Sequence, residues 1–245
     1  MSVFATLVEQ LAELLEPLFA ASATAAAIIA FTALVRLAVH PLSRAAARGQ
    51  KARTRLAPQL AELRVKYGSN AKDAERLRKA TMELYAREKV SPLSGCLPSL
   101  LQLPAFFLMY HLFSNTEIGG EPNGLLGHAL FDAPLGGRWT DALADGGMFG
   151  GAGLVYVALF VIVAAVATFT YRRTKRQMAA APMTGEQMPG MVAMTKVVPL
   201  LSFFTLATVA VVPLAAALYV VTSTTWTAVE RVFLYRDSPM PVAQL

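Results

Sequence analysis

A single cysteine, Cys96, stands in 245 residues. No intrachain disulfide can form, and a cysteine-based metal cluster is excluded. Charge is also scarce: Asp, Glu, Lys and Arg make up 16% of the chain, while 55% is hydrophobic. An ordinary soluble domain carries about 25% charged residues. This balance points instead to a polytopic membrane protein. Met1–Ala21 holds no Lys or Arg. A secretory signal opens on basic residues, so this start is not read as one. The three histidines, His40, His111 and His128, show no ligand spacing, and no metal or cofactor is expected. Gly-x-Ser-x-Gly, P-loop and His-Glu-x-x-His motifs are all missing, so the chain is not read as an enzyme.

What is present falls into alternating apolar and charged blocks. In residues 1–21, Leu7, Leu11, Leu14, Leu15 and Leu18 recur at helical spacing opposite Glu9, Glu13 and Glu16. That predicts an amphipathic helix, placed outside by its lack of positive charge. Residues 22–42 predict the first membrane span, ended by Pro41. Its one charge is Arg36. A charge at mid-bilayer costs at least ~2.5–3.5 kcal/mol. Arg36 either snorkels to the headgroups or is supplied with water and polar partners. The span alone leaves both readings open.

Residues 43–91 carry thirteen Lys and Arg against five acids, a net +8. Apolar positions at helical spacing predict two helices, 44–67 and 71–89, joined at Gly68-Ser69-Asn70. Glu62/Lys66, Glu75/Lys79 and Glu83/Arg87 are i,i+4 pairs of the sort that favours exposed helix. A cytoplasmic helical hairpin is expected, by the excess of positive charge. RNA binding is not needed to explain that excess, and DNA is not an expected partner. Residues 92–113 predict a second, proline-rich span, and 114–150 an acidic, glycine-rich external loop. A third span at 151–171 stops at Arg172-Arg173-Thr174-Lys175-Arg176. Residues 177–194 form a methionine-rich connector, which suits varied apolar contacts or simply touches the membrane interface. The apolar run 192–229 is too long for one crossing and is expected to break at Pro213. That gives spans at 192–207 and 213–229 and a short cytoplasmic tail, 236–245. The expected fold is an all-α polytopic membrane protein. It comprises a five-helix transmembrane bundle, a cytoplasmic hairpin and an N-terminal amphipathic helix, with the N-terminus outside and the C-terminus in the cytoplasm.

Two helical faces carry polar groups within the apolar spans. Tyr219, Thr222, Ser223 and Trp226 lie at i, i+3, i+4 and i+7. Gln102, Phe106 and Tyr110 share a face of the second span. These groups suit a polar groove around Arg36. Small hydroxyls also suit plain packing between membrane helices.

The run Pro92-Leu93-Ser94-Gly95-Cys96-Leu97-Pro98-Ser99-Leu100-Leu101-Gln102-Leu103-Pro104-Ala105-Phe106-Phe107 closely resembles the second-core-span signature of the YidC/Oxa/Alb membrane protein insertases. Val35-Arg36-Leu37 with His40-Pro41-Leu42 resembles that family's first core span. Pro213-Leu214-Ala215-Ala216-Ala217-Leu218-Tyr219 resembles the start of its last. The resemblance covers about residues 22–235 and is nearest the short Gram-positive and actinobacterial forms. Val220 and Thr224 depart from the family's usual Leu-Tyr-Trp run and the Asn that follows it.

The resemblance implies a groove open to the cytoplasm and the lipid and closed outside, with Arg36 as its arginine. Gln102, Tyr219, Thr222 and Ser223 would line it, and Phe106, Tyr110 and Phe203 would form a greasy face along which a client slides into lipid. Nothing would be hydrolysed. Nascent membrane proteins and the bilayer are the implied partners, with the ribosome and the Sec translocon as candidates. Two rival readings are a small anion transporter or channel built on Arg36, and a passive assembly factor.

Overall fold

The structure is a computed structural model and describes residues 2–67, 71–90, 107, 110–118, 120–179 and 197–235. Most of the expected second span, including Cys96, Gln102 and Phe106, lies outside the described residues. So do the methionine-rich stretch beyond Ala179 and the tail 236–245. The described chain is mostly helical. Two stretches are long and apolar enough to cross a membrane, within Thr6–Tyr67 and Gly151–Arg176, with mean hydropathies of 2.1 and 2.5.

Helix α1 is Ser2–Phe19. It buries Val8 and packs Leu11, Ala12 and Leu15 against the core. Leu7, Leu14 and Leu18 stay exposed beside Glu9, Glu13 and Glu16. The leucine face read from the sequence is therefore divided: part holds the protein and part is left to the surroundings. A 3-10 turn at Ala20–Ser22, with Ala20 at φ +45°, redirects the chain.

Helix α2 is Ala23–Tyr67, 45 residues without a break. At 1.5 Å per residue it is about 67 Å long, far more than a membrane needs. The expected end at Pro41 is absent. Proline removes one backbone donor, at a cost of about 3 kcal/mol in a helix interior. Here the residues after it, Arg44-Ala45-Ala46-Ala47-Arg48, are strong helix formers and restart the ladder at once. The first membrane segment and the first arm of the basic hairpin are thus one rod. Helix α3, Ala71–Arg87, packs against α2. Among the described residues its ion pair is Asp73–Arg76 at 3.6 Å, and none of the three expected i,i+4 pairs closes within 4.0 Å. Exposed pairs gain too little to hold long side chains in one geometry.

The segment 114–150, expected as a loop, carries short strands and a helix of its own. Residues 110–114 are helical. Two short antiparallel ladders follow, β1 Glu117–Ile118 with β2 Glu121–Pro122, and β3 Ala129–Leu130 with β4 Ala133–Pro134. Helix α4, Trp139–Gly146, starts with a capping box in which the Arg138 amide donates to Asp141 Oδ2 at 2.8 Å. It ends at Gly147, φ +69°, a conformation that glycine adopts without penalty.

Helix α5 is Gly151–Ala179 and carries the basic cluster Arg172–Arg176 inside its last turns. Gly153 has no room for a side chain: a Cβ there would lie 2.2 Å from the Gly147 carbonyl. A helical run from Val197 continues through a 3-10 turn at Leu201–Phe203 into α6, Phe204–Val211. The chain breaks at Val212 and Pro213 and restarts as α7, Leu214–Leu234. The break read from Pro213 lies there, since a proline cannot donate into the preceding turn.

The first amides of α7 have no partner within their own helix. The segment 114–150 supplies them: Leu214 donates to the Gly137 carbonyl and Ala215 to that of Leu135, both at 2.9 Å. Tyr156 of α5 donates to Gly137 O at 2.6 Å, and Asn123 to Leu112 O and Asn115 O at 2.8 Å. Around this lattice lies the core. It gathers Ile28 and Phe31 of α2, Leu112 and Phe113, Leu125 and Leu135, Tyr156 and Val163 of α5, and the unbroken run Leu214–Val221 of α7. All of it sits at one end of the helices. Beyond Thr32 the buried residues of α2 are Ala47 and Leu56, and beyond Ser223 none of α7 is buried.

Candidate functional site

The seam between α2 and α7 crosses the boundary of that core. Contacts advance in the same order along both helices, so the two run parallel. On α2, apolar residues form its dry part: Ala25, Ala27, Ile28 and Phe31 are buried, and the buried Thr32 returns its hydroxyl to Ile28 O at 2.7 Å. One turn on, the apolar pattern yields to Arg36, which is half-buried.

Its Nη2 donates to the Ser223 hydroxyl. Ser223 is 5% exposed, so this is a charge-assisted hydrogen bond in a mostly dry setting. Tyr219 lies one turn earlier on α7, also buried, with its ring 6.3 Å from that of Phe113. Glu230 is close enough to attract the guanidinium through space. One turn beyond Arg36, His40 Nδ1 meets Glu230 Oε1 at 2.5 Å. The Glu230 side chain is only 10% exposed and that of His40 31%. The seam therefore holds a line of polar groups, Tyr219, Ser223 and Glu230 on α7 facing Arg36 and His40 on α2.

Of the expected groove residues, Arg36, Tyr219 and Ser223 come together. Thr222 is half-buried on the same helix. Trp226 is half-buried, and its Nε1 is buried without a hydrogen-bond partner among the described residues. Thr224 and Thr227 bond back to carbonyls of their own helix, at 2.8 Å to Val220 and 2.9 Å to Ser223. Such hydroxyls are quenched by the backbone and offer little to a ligand. Tyr110 is 40% exposed. Phe203 packs its ring 5.8 Å from Tyr171 of α5. Gln102 and Phe106 lie outside the described residues. Glu230 and His40 were missed, although a signal existed: Glu230 is i+7 from Ser223, and His40 is i+4 from Arg36. Among the described residues no group of His, Cys, Asp and Glu is placed to hold a metal.

A model of the 60Kd inner membrane protein family matches residues 15–241, nearly the whole chain. The chain belongs to that family, the YidC/Oxa family. Relatives named membrane protein insertase YidC agree over shorter stretches. The one from Xanthomonas campestris pv. campestris (strain 8004) is 44% identical over 97 residues, which is 39% of this chain and 16% of the relative. That from Bordetella petrii is 38% identical over 105 residues, 42% of this chain and 18% of the relative. That from Anaeromyxobacter sp. (strain Fw109-5) is 40% identical over 97 residues, 39% and 17%. The matched stretch spans less than a fifth of each of these YidC relatives.

Proposed function

We propose that the protein is a membrane protein insertase. It moves client transmembrane segments from the cytoplasm into the bilayer through a hydrophilic groove containing Arg36, without hydrolysis. The observation that carries this reading is the position of Arg36. It stands where the packed end of the α2–α7 seam gives way to the less buried end, and it is held by Ser223.

In this reading the packed end faces outside and closes the path, and the open end faces the cytoplasm. The protein crosses the bacterial plasma membrane five times, with its N-terminus outside and its C-terminus inside. A client's polar tail enters the wet groove at lower cost than bare lipid, and its carboxylates find a transient partner in Arg36. The Ser223 contact is replaceable, so the attraction stays weak enough for release. Gln102 and Thr222 line the groove, while Phe106, Tyr110 and Phe203 guide the apolar segment outward. Glu230 and His40 sit at its inner mouth. The basic α2–α3 hairpin receives clients, with the ribosome and the Sec translocon as candidate partners.

Photocrosslinkers at positions 36, 102 and 219 test this against ribosome-stalled nascent chains. All three are expected to capture a membrane client and not a cytosolic one. Equal capture from Val161, which is exposed on α5, would sink the groove. Anion flux through the purified protein in liposomes, with no insertion, would replace it by the transporter reading.

A further inference from the structure

Away from the seam, α5 and α7 leave a second, apolar crevice between them. Ala165 and Ala228 contribute small walls, and Phe169, Val229 and Val232 stand at its rim, each 40–50% exposed. Thr225 adds one hydroxyl whose Oγ1 is buried and has no partner among the described residues. Alanines line both helices where they approach, so the crevice between them is apolar.

One turn past Phe169 stands Arg173, and beside Val232 stands Arg231. Arg173 Nη2 donates to the Arg231 carbonyl at 3.0 Å, and its guanidinium lies 5.7 Å from the Tyr235 ring. Arg173 thereby caps the end of α7. The two guanidiniums are close enough to repel, and among the described residues neither has a carboxylate within 4.0 Å. Arg172, Lys175 and Arg176 add positive charge on the same turns of α5. Burial pushes the Tyr235 phenol above its usual value, against the pull of Arg231 and Arg173. It therefore remains a hydrogen-bond donor at neutral pH. Two like charges and a donor held together without a counter-ion are the complement of a phosphate.

We infer that the α5–α7 crevice and the Arg173–Arg231–Tyr235 cluster form a binding site for an anionic phospholipid. One acyl chain lies between Ala165 and Ala228, and the phosphate rests on the two guanidiniums. The apolar length and the cationic cap are adjacent on the same two helices, in the order in which a lipid presents its tail and headgroup at the inner face of a membrane. The inference rests on reading α5 and α7 as membrane spans. It does not require insertase activity.

Native mass spectrometry of the purified full chain tests it, with dioleoyl phosphatidylglycerol, dioleoyl phosphatidylcholine and glycerol phosphate as probes. One phosphatidylglycerol is expected to stay bound at collision energies that strip phosphatidylcholine, and glycerol phosphate is expected not to bind. The double variant R173Q/R231Q should weaken phosphatidylglycerol binding by about thirtyfold. Ala228→Trp, which fills the crevice and spares the charges, should weaken both phospholipids. Equal retention of the two lipids by the unaltered protein overturns the site, and that comparison needs no variant. Glycerol phosphate binding as tightly as the lipid would overturn the acyl-chain crevice. Client insertion, measured on the same preparations, separates the two readings: lipid retained without insertion defeats the insertase and leaves this site standing.

Discussion

His40 and Glu230 meet at 2.5 Å one turn along α2 from the contact between Arg36 and Ser223. Glu230 thus serves two partners, the His40 ring directly and the Arg36 guanidinium through space. In the proposed insertase, a carboxylate already in the seam would compete with any carboxylate that a client brings. Glu230→Gln removes the competitor. Crosslinking of an acidic client from position 219 should then rise by about fivefold, the equivalent of roughly 1 kcal/mol for one partly exposed charge pair. Release of that client should slow. An unchanged crosslink yield would mean that Glu230 serves only to hold His40.

Arg36→Ala should cut insertion of clients with acidic translocated tails by at least about tenfold, and leave neutral-tailed clients nearly unaffected. Arg36→Lys should fall between, since lysine keeps the charge but loses the planar fork. Proteoliposome insertion of paired clients that differ only in tail charge measures both. Equal loss for all clients would make Arg36 a structural residue.

Arg36 was legible because a lone charge in an apolar run has few explanations, and Tyr219 and Ser223 because helical spacing fixes a face. Glu230 obeyed the same spacing but read as the flank of a span, and His40 read as one of three scattered histidines. Their pairing is a property of two helices in register, which neither stretch shows alone. Pro41 misled for another reason: a proline's local penalty was outweighed by the helix-forming residues after it. The docking of the start of α7 left no trace in the sequence, because it rests on backbone carbonyls at Leu135 and Gly137.

Gly153 should be intolerant of any side chain. Gly153→Ala brings a Cβ to within 2.2 Å of the Gly147 carbonyl and should destabilise the protein by about 1–3 kcal/mol, seen as a lower melting temperature in detergent. Gly127→Ala meets nothing within 4 Å and serves as the control that should melt with the unaltered protein.

Tyr156→Phe keeps the ring, which lies 5.7 Å from that of Trp139, and deletes the hydrogen bond to Gly137 O. A loss of about 1–2 kcal/mol is expected. Hydrogen exchange at Leu214 and Ala215 should quicken in this variant, because their carbonyl partners sit in the same loop. Unchanged protection there would show that the loop is held by other contacts.

The carbonyls that receive the first amides of α7 also set an order of events. Translation delivers α2 before the segment 114–150, and α7 after both. The final helix has a finished docking platform waiting when it emerges. Arg36 does not have that advantage: it is made early and meets Ser223 only after the intervening segments have been made. The seam therefore assembles only once α7 has been made, and a chain cut short before α7 carries a charged helix with its partner missing.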